Sequence, residues 1–424
     1  MKKIKMMMAA ALGVLVSCGS VKSGEEAIAA SRESKVVVAY VTSWSEVMPD
    51  PQYMTHINYA FGHVNESFNG VKIDNEERLR QIVDLRKQKP ELKVLLSIGG
   101  WGSGRFSEMA ANDEYRRAFA ADCDRVVKEF ALDGIDIDWE YPTSSMANIS
   151  SSPDDTENFT LLMQDIRAAI GNEKELTLAT VASARYIDFK AILPSVDFVN
   201  IMAYDMASAP KHHSALYPSG HSGDITSDGA VTAHLKAGVP PSKLVMGMPF
   251  YGRGGDGYPS FQDYNKVGNT DTQYTEKWDE VAQVPYLADK NDTLVFGFEN
   301  PRSLAIKCQY ILDKDLLGGM YWDYSGDNEQ GDLRRTVAEN LLGKPHKAKV
   351  LVLTERGGQH GGFTDAGLRW LAAEGVKGNF SITEINNARN ITEAYLSQFS
   401  LVIQLDFPPY TWPKEAEDAF VKYI

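Results

Sequence analysis

The chain has 424 residues, a formal net charge of −14, and 24% charged against 43% hydrophobic side chains. That balance excludes a disordered or collagen-like chain, and the acidity excludes nucleic acid or an anionic membrane surface as the main partner, because both select basic patches. Three cysteines are too few for a disulfide scaffold, and the length suits one large domain plus a smaller unit.

Lys2, Lys3 and Lys5 form a basic start, and 6–16 is an apolar run too short to span a bilayer as a helix. This is the pattern of a secretory signal. Leu15-Val16-Ser17-Cys18 resembles a bacterial lipobox. Residues 1–18 are therefore expected to be a lipoprotein signal peptide with Cys18 lipidated, an ordinary signal peptide being the alternative. Residues 19–34 then read as a linker. The expected location is the cell envelope, exported, with the membrane touched by the lipid anchor only.

From Lys35 onward, short runs rich in Val and Ile alternate with helical patterns. The runs are 36–41, 57–61, 94–98, 134–139, 176–182, 198–202, 244–249 and 318–322. Phe159, Leu162, Met163, Ile166 and Ile170 mark one helix face, opened by Pro153-Asp154-Asp155. Tyr115, Phe119, Val126 and Phe130 mark another. Eight β–α units over 35–344 predict an α/β fold, a (β/α)8 barrel with its site at the C-terminal strand ends. A doubly wound open sheet is the alternative by pattern alone.

The segment 132–142 carries the chemistry. On a strand, Ile135, Ile137 and Trp139 point one way and Asp136, Asp138 and Glu140 the other. The acids then face the barrel interior, with Glu140 nearest the mouth. Repulsion and burial raise at least one pKa and leave a proton to donate near neutral pH. Cleavage of a glycosidic bond requires such a donor. A Mg²⁺ or Ca²⁺ site and a structural hydrogen-bond network are the alternatives. Same-face neighbours lie roughly 6.5–7 Å apart along a strand, between the separations of retaining and inverting carboxyl pairs.

The run Asp133-Gly134-Ile135-Asp136-Ile137-Asp138-Trp139-Glu140 resembles the signature of glycoside hydrolase family 18, the chitinase family. Ser97-Ile98-Gly99-Gly100-Trp101 is similar to its third-strand motif and Met202-Ala203-Tyr204-Asp205 to its sixth. Gly247-Met248-Pro249-Phe250-Tyr251-Gly252-Arg253 and Gly318-Gly319-Met320-Tyr321-Trp322 resemble the seventh and eighth. Tyr40 with Trp44, and Tyr59-Ala60-Phe61, match strands one and two. The resemblance spans about Lys35 to Gly343 and favours the barrel over the open sheet. It implies a glycosidase acting on chitin or an oligosaccharide containing N-acetylglucosamine, with an endo-β-N-acetylglucosaminidase or a non-catalytic carbohydrate-binding homologue as alternatives.

In that family Glu140 would be the general acid, while the substrate's own acetamido oxygen attacks the sugar. Asp138 would orient the acetamido N–H, and Asp136 would sit deeper and share a proton with it. Tyr204 would donate to the acetamido carbonyl. Asp205 and Met202 would line the same subsite, and Trp322 would form its floor. Tyr40, Phe61, Trp101 and Tyr141 would line the groove. Arg253 is left outside the site. No cofactor and no metal are expected, and a monomer is.

The family often carries a small α/β insertion between strands seven and eight. Here about 65 residues separate Arg253 from Gly318, so a reduced insertion and a groove shallow on that side are expected. Residues 345–424 read as a further strand, a helix, two strands and a helix. With the glycine-rich turn at Gly357-Gly358, they resemble the start of a ThuA-like doubly wound domain. Its next strand would lie past Ile424, so the sequence is expected to be part of a longer protein. Cys123 and Cys308 are expected to be free buried thiols. His212-His213 carries no metal pattern.

Overall fold

The computed structural model describes residues 35–255, 258–267, 273–343, 348–354, 361–378, 380–397, 399–405 and 412–423. The signal segment, Cys18, the linker and the glycine-rich turn lie outside the described residues.

Eight strands alternate with helices. They are β1 (Val36–Thr42), β2 (His56–Val64) with its antiparallel partner β3 (Val71–Ile73), β4 (Lys93–Gly99), β5 (Gly134–Asp138), β6 (Glu175–Val181), β7 (Phe198–Met202), β8 (Leu244–Pro249) and, after an insertion, β14 (Gly318–Trp322). They pair in parallel in the order β1-β14-β8-β7-β6-β5-β4-β2, and β2 pairs again with β1. The sheet is therefore closed, which makes it a barrel and excludes the doubly wound alternative.

The period-2 pattern divides the core in two. Ile135, Ile137 and Trp139 pack outward with the helices, where Trp139 stacks on Phe106 at 5.3 Å. Val38, Tyr40, Phe61, Met202, Val245 and Met320 fill the interior. Helix starts are built locally. The Asn112 side chain accepts from the backbone N–H of Glu114 and Tyr115 at helix Asp113–Glu129. At helix Pro301–Asp313, Asn300 and Ser303 form a capping box with Pro301 in the first turn.

The segment expected to be a reduced insertion is a five-stranded antiparallel sheet. Its strands are β9 (Tyr251–Gly254), β10 (Gln262–Asp263), β11 (Thr275–Asp279), β12 (Val284–Ala288) and β13 (Leu294–Gly297), ordered β10-β9-β13-β12-β11. It has its own apolar cluster around Leu287, Phe296 and Phe298. Tyr251 and Arg253 of β9 and Phe261 before β10 line the groove on that side.

The C-terminal strands β15 (Ala348–Leu353), β16 (Phe380–Ile385) and β17 (Leu401–Gln404) form a parallel sheet in the order β16-β15-β17. Leu368 and Leu371 of helix Gly361–Gly378 cover one face, and Ala416 and Ala419 of helix Lys414–Tyr423 the other. Cys123 and Cys308 are buried and free.

Helix Pro301–Asp313 is tied to the loop before residue 225 by a fully buried ion pair. Lys307 Nζ meets Glu299 and donates to the Ser214 carbonyl at 2.5 Å, and Ser214 Oγ donates to Glu299 at 2.6 Å. Removing one member strands the other charge. Lys307→Met should cost about 3–5 kcal/mol, read as a lower urea midpoint. The double variant Lys307→Met/Glu299→Leu should recover most of that loss. Equal stability of wild type and single variant would contradict the assigned role.

Candidate active site

The β5 carboxyls rise through the barrel in order of depth. Asp136 is fully buried and accepts four hydrogen bonds. Tyr40 and Ser97 hydroxyls donate to Oδ2, both at 2.8 Å, while Thr177 Oγ1 (2.6 Å) and Asn200 Nδ2 (3.3 Å) donate to Oδ1. Burial still raises its pKa, against the lowering effect of those donors. With both oxygens engaged by protein, Asp136 has little capacity left for a metal. Among the described residues, no group of three or more His, Cys, Asp and Glu side chains is arranged to hold one.

Asp138 is also buried, and its Oδ1 has no hydrogen-bond partner. Burial, then the charges of Glu140 and Asp136, push its carboxyl well above the usual range. Glu140 lies just past β5, half-buried. Burial raises its pKa to about 7, with Asp205 adding to the rise and a hydrogen bond from Tyr141 opposing it. The column therefore does not carry three negative charges at neutral pH. Burial and mutual repulsion favour a shared proton on the Asp138–Glu140 pair.

Two glycines make room for the neighbouring side chains. Gly100 has φ +91°, and a Cβ there would stand 2.6 Å from the Phe61 ring. A Cβ on Gly247 would stand 2.9 Å from Tyr204. Tyr204, Met202 and Asp205 come from the end of β7 and the loop after it. Tyr204 Oη contacts Met320 Sδ at 3.9 Å, and burial raises its pKa with help from Asp138 and Glu140. Asp205 has φ +53°. Its carboxylate receives Arg253 Nε and Nη2, each at 2.6 Å. Burial would raise its pKa, but Arg253 and His213 outweigh that and hold it well below the carboxylate range.

Aromatic rings complete the walls. Trp322, at the end of β14, stacks on Phe61 at 5.6 Å and meets Tyr40 at 5.7 Å and Trp44 at 6.4 Å. Tyr141 stacks on Tyr186 at 5.4 Å. The peptide bonds Ala60–Phe61, Glu140–Tyr141 and Trp322–Asp323 are cis.

One cavity of about 720 Å³ brings together Tyr40, Phe61, Trp101, Asp138, Glu140, Tyr141, Met202, Tyr204, Asp205 and Trp322. Asp136 lies beneath it. Arg253, set outside the site on sequence grounds, lines it, as do Trp44, Tyr251 and Phe261. Trp44 was visible beside Tyr40 in the first strand motif, and Tyr251 within the seventh. Phe261 carries no sequence signal, because it reaches the groove through the insertion, where it stacks on Tyr251 at 4.6 Å. A larger cavity of about 1130 Å³ lies between the insertion sheet and the loop after β14. It holds none of the β5 acids. The smaller one is the candidate active site, because it joins the carboxyls of Asp138, Glu140 and Asp205 to aromatic walls.

Comparison with known proteins agrees with this geometry. The family model described as glycosyl hydrolases family 18 matches residues 36–327. The chain is 29% identical to chitinase A1 of Niallia circulans over 72% of its length, and spans 58% of that protein. It is 31% identical to chitotriosidase-1 of Mus musculus, covering 70% of this chain and 74% of that one. Among solved structures, a family 18 N-acetylglucosaminidase from Paenibacillus barengoltzii superposes with a TM-score of 0.67 at 32% identity. The match covers 72% of this chain and 99% of that one.

A carboxyl whose pKa is raised by folding weakens the fold once it ionises. For Glu140 that stability is present below about pH 4.5 and is lost as pH rises through about 7. Glu140→Gln never ionises. Its Tm should exceed that of wild type at pH 8 by more than at pH 5, measured by calorimetry. A gap independent of pH would refute the raised pKa.

Proposed function

The chain belongs to glycosyl hydrolases family 18 and is a chitinase-like glycoside hydrolase, and on that premise we propose that it hydrolyses β-1,4-linked N-acetylglucosamine in chitin or its oligomers with Glu140 as general acid. The observation that carries this reading is the place of Glu140 at the groove, above a buried Asp138 and in one cavity with Tyr204, where burial raises its pKa to about 7. Glu140 protonates the leaving glycosidic oxygen. A retaining two-carboxylate mechanism needs a free anionic nucleophile; of the other two groove carboxyls, Asp138 is buried with its pKa pushed well up, and Asp205 is engaged by Arg253 Nε and Nη2. This supports attack by the substrate's acetamido oxygen instead, the substrate-assisted route.

Asp138 then accepts the acetamido N–H and stabilises its growing positive charge. Tyr204 donates to the acetamido carbonyl and holds it for attack. Trp322 presents its ring to the apolar face of the sugar, with Tyr40, Phe61, Trp101 and Tyr141 around it. The likeness to an N-acetylglucosaminidase supports a second reading, action on N-acetylglucosamine linkages other than those of chitin. Lipidation of Cys18 and a cell-envelope location belong to the proposal on the pattern of the first 18 residues alone. A ThuA-like identity for 345–424 rests on its parallel β16-β15-β17 sheet covered on both faces.

On a tetramer of N-acetylglucosamine, Glu140→Gln should lower kcat by about 10²–10⁴-fold. Proton NMR of the wild-type reaction should show the β-anomer as first product, and kcat/KM should fall above pH 7 as Glu140 loses its proton. Turnover by Glu140→Gln at the wild-type rate would remove Glu140 from its role. Cleavage of a high-mannose glycopeptide with no action on the tetramer would favour the second reading.

A further inference from the structure

The site contains a buried imidazole that the mechanism above does not use. His213 is fully buried, and its Nδ1 lies 3.5 Å from Asp205 Oδ1. Neither ring nitrogen has a nearer polar partner. A buried ring with both nitrogens unpaired costs stability and calls for an explanation.

The chain path aims the ring at Asp205. At φ +53°, Asp205 turns the backbone, and the loop returns so that Met206 N–H donates to the His213 carbonyl at 3.0 Å. His213 thus stands behind the carboxylate while Arg253 approaches from β9. A Cβ on Gly297 of β13 would stand in ordinary contact with His212 and with the His213 backbone nitrogen, at 3.6–3.7 Å. Tyr251 meets the ring at 5.4 Å. The groups facing Asp205 are Arg253, His213, Tyr204, Tyr251, Tyr141 and Glu140. Of these, Arg253 and His213 alone can bring positive charge.

We propose that His213 is a positioning residue: its Nδ1–H, with the Arg253 fork, fixes the Asp205 carboxylate in the orientation that faces Glu140. The inference rests on the reading of Glu140 as the acid. A carboxylate clamped from two sides keeps its charge and its place beside the acid. Clamped by Arg253 alone, it can pivot about the guanidinium plane.

Two variants separate positioning from packing. His213→Phe keeps the ring volume and the contact with Tyr251 but has no N–H. His213→Asn loses the ring but keeps an N–H donor near the position of Nδ1. On the N-acetylglucosamine tetramer, the Phe variant should lose about tenfold in kcat, the scale of one hydrogen bond to a charged group. Its KM should change little, and the Asn variant should recover most of the rate. The reverse pattern, Phe active and Asn impaired with a lower Tm, would make His213 a packing residue and overturn the proposal. So would full activity in both. Glu140→Gln is run alongside. If that variant keeps its activity, the acid assignment has failed; if it is inactive and His213→Phe is not, this inference alone falls.

Discussion

The mouth of the barrel depends on how the interior accommodates Asp136. A carboxyl at the axis of a closed sheet has no water around it, and an unpaired charge there is prohibitive. Four strands meet the demand: Tyr40 from β1, Ser97 from β4, Thr177 from β6 and Asn200 from β7 all donate to it. Closure of the barrel is what brings those four together. The same contacts fix β5, and with it the height and direction of Asp138 and Glu140. A fold-level constraint and a catalytic one are satisfied by the same oxygens.

Above Asp136 the logic reverses. Asp138 Oδ1 is left without a partner, and Glu140 stands against Asp205 with only Tyr141 offsetting its burial. Here the protein declines to stabilise the anions, so a proton is retained where the groove opens. The charge that is stabilised at the surface is Asp205, by Arg253. The pKa values of Glu140 and Asp205, within one cavity, are thus pushed in opposite directions, by neighbours rather than by their own chemistry.

The parts legible in the sequence are those whose periodicity is local. The alternation from Asp136 to Glu140 needs only the period of a strand, and it placed the acids inward and Trp139 outward. The eight barrel strands were readable because each is a short apolar run flanked by a helical pattern. The insertion was not. Its strands are two to five residues long, too short for alternation to register, and a length of about 65 residues read as a reduced insertion rather than a sheet. Phe261 and His213 escaped for a different reason. Their neighbours, Tyr251 and Asp205, lie only ten and eight residues away, but the chain between them turns back without a regular period, so no spacing rule pairs them. Arg253 was seen but not placed, since a fork onto a carboxylate is a property of geometry and not of spacing.

The groove also separates two kinds of binding. Trp44 and Trp101 are exposed, at 64% and 63%, and Phe261 at 43%. Rings so open to solvent hold a sugar chain about equally well before and during bond breaking. They add affinity without favouring the transition state. In the proposed mechanism the groups that discriminate lie deeper: Asp138 and Tyr204 would meet charge that develops only as the acetamido oxygen attacks, and Glu140 would meet it only as the leaving oxygen gains its proton. These are the groups that the Asp136 network and the clamp on Asp205 hold rigid. The neutral polymer proposed as substrate fits this division, because its affinity can come from ring faces. The ionisable groups would then be left free for the chemical step.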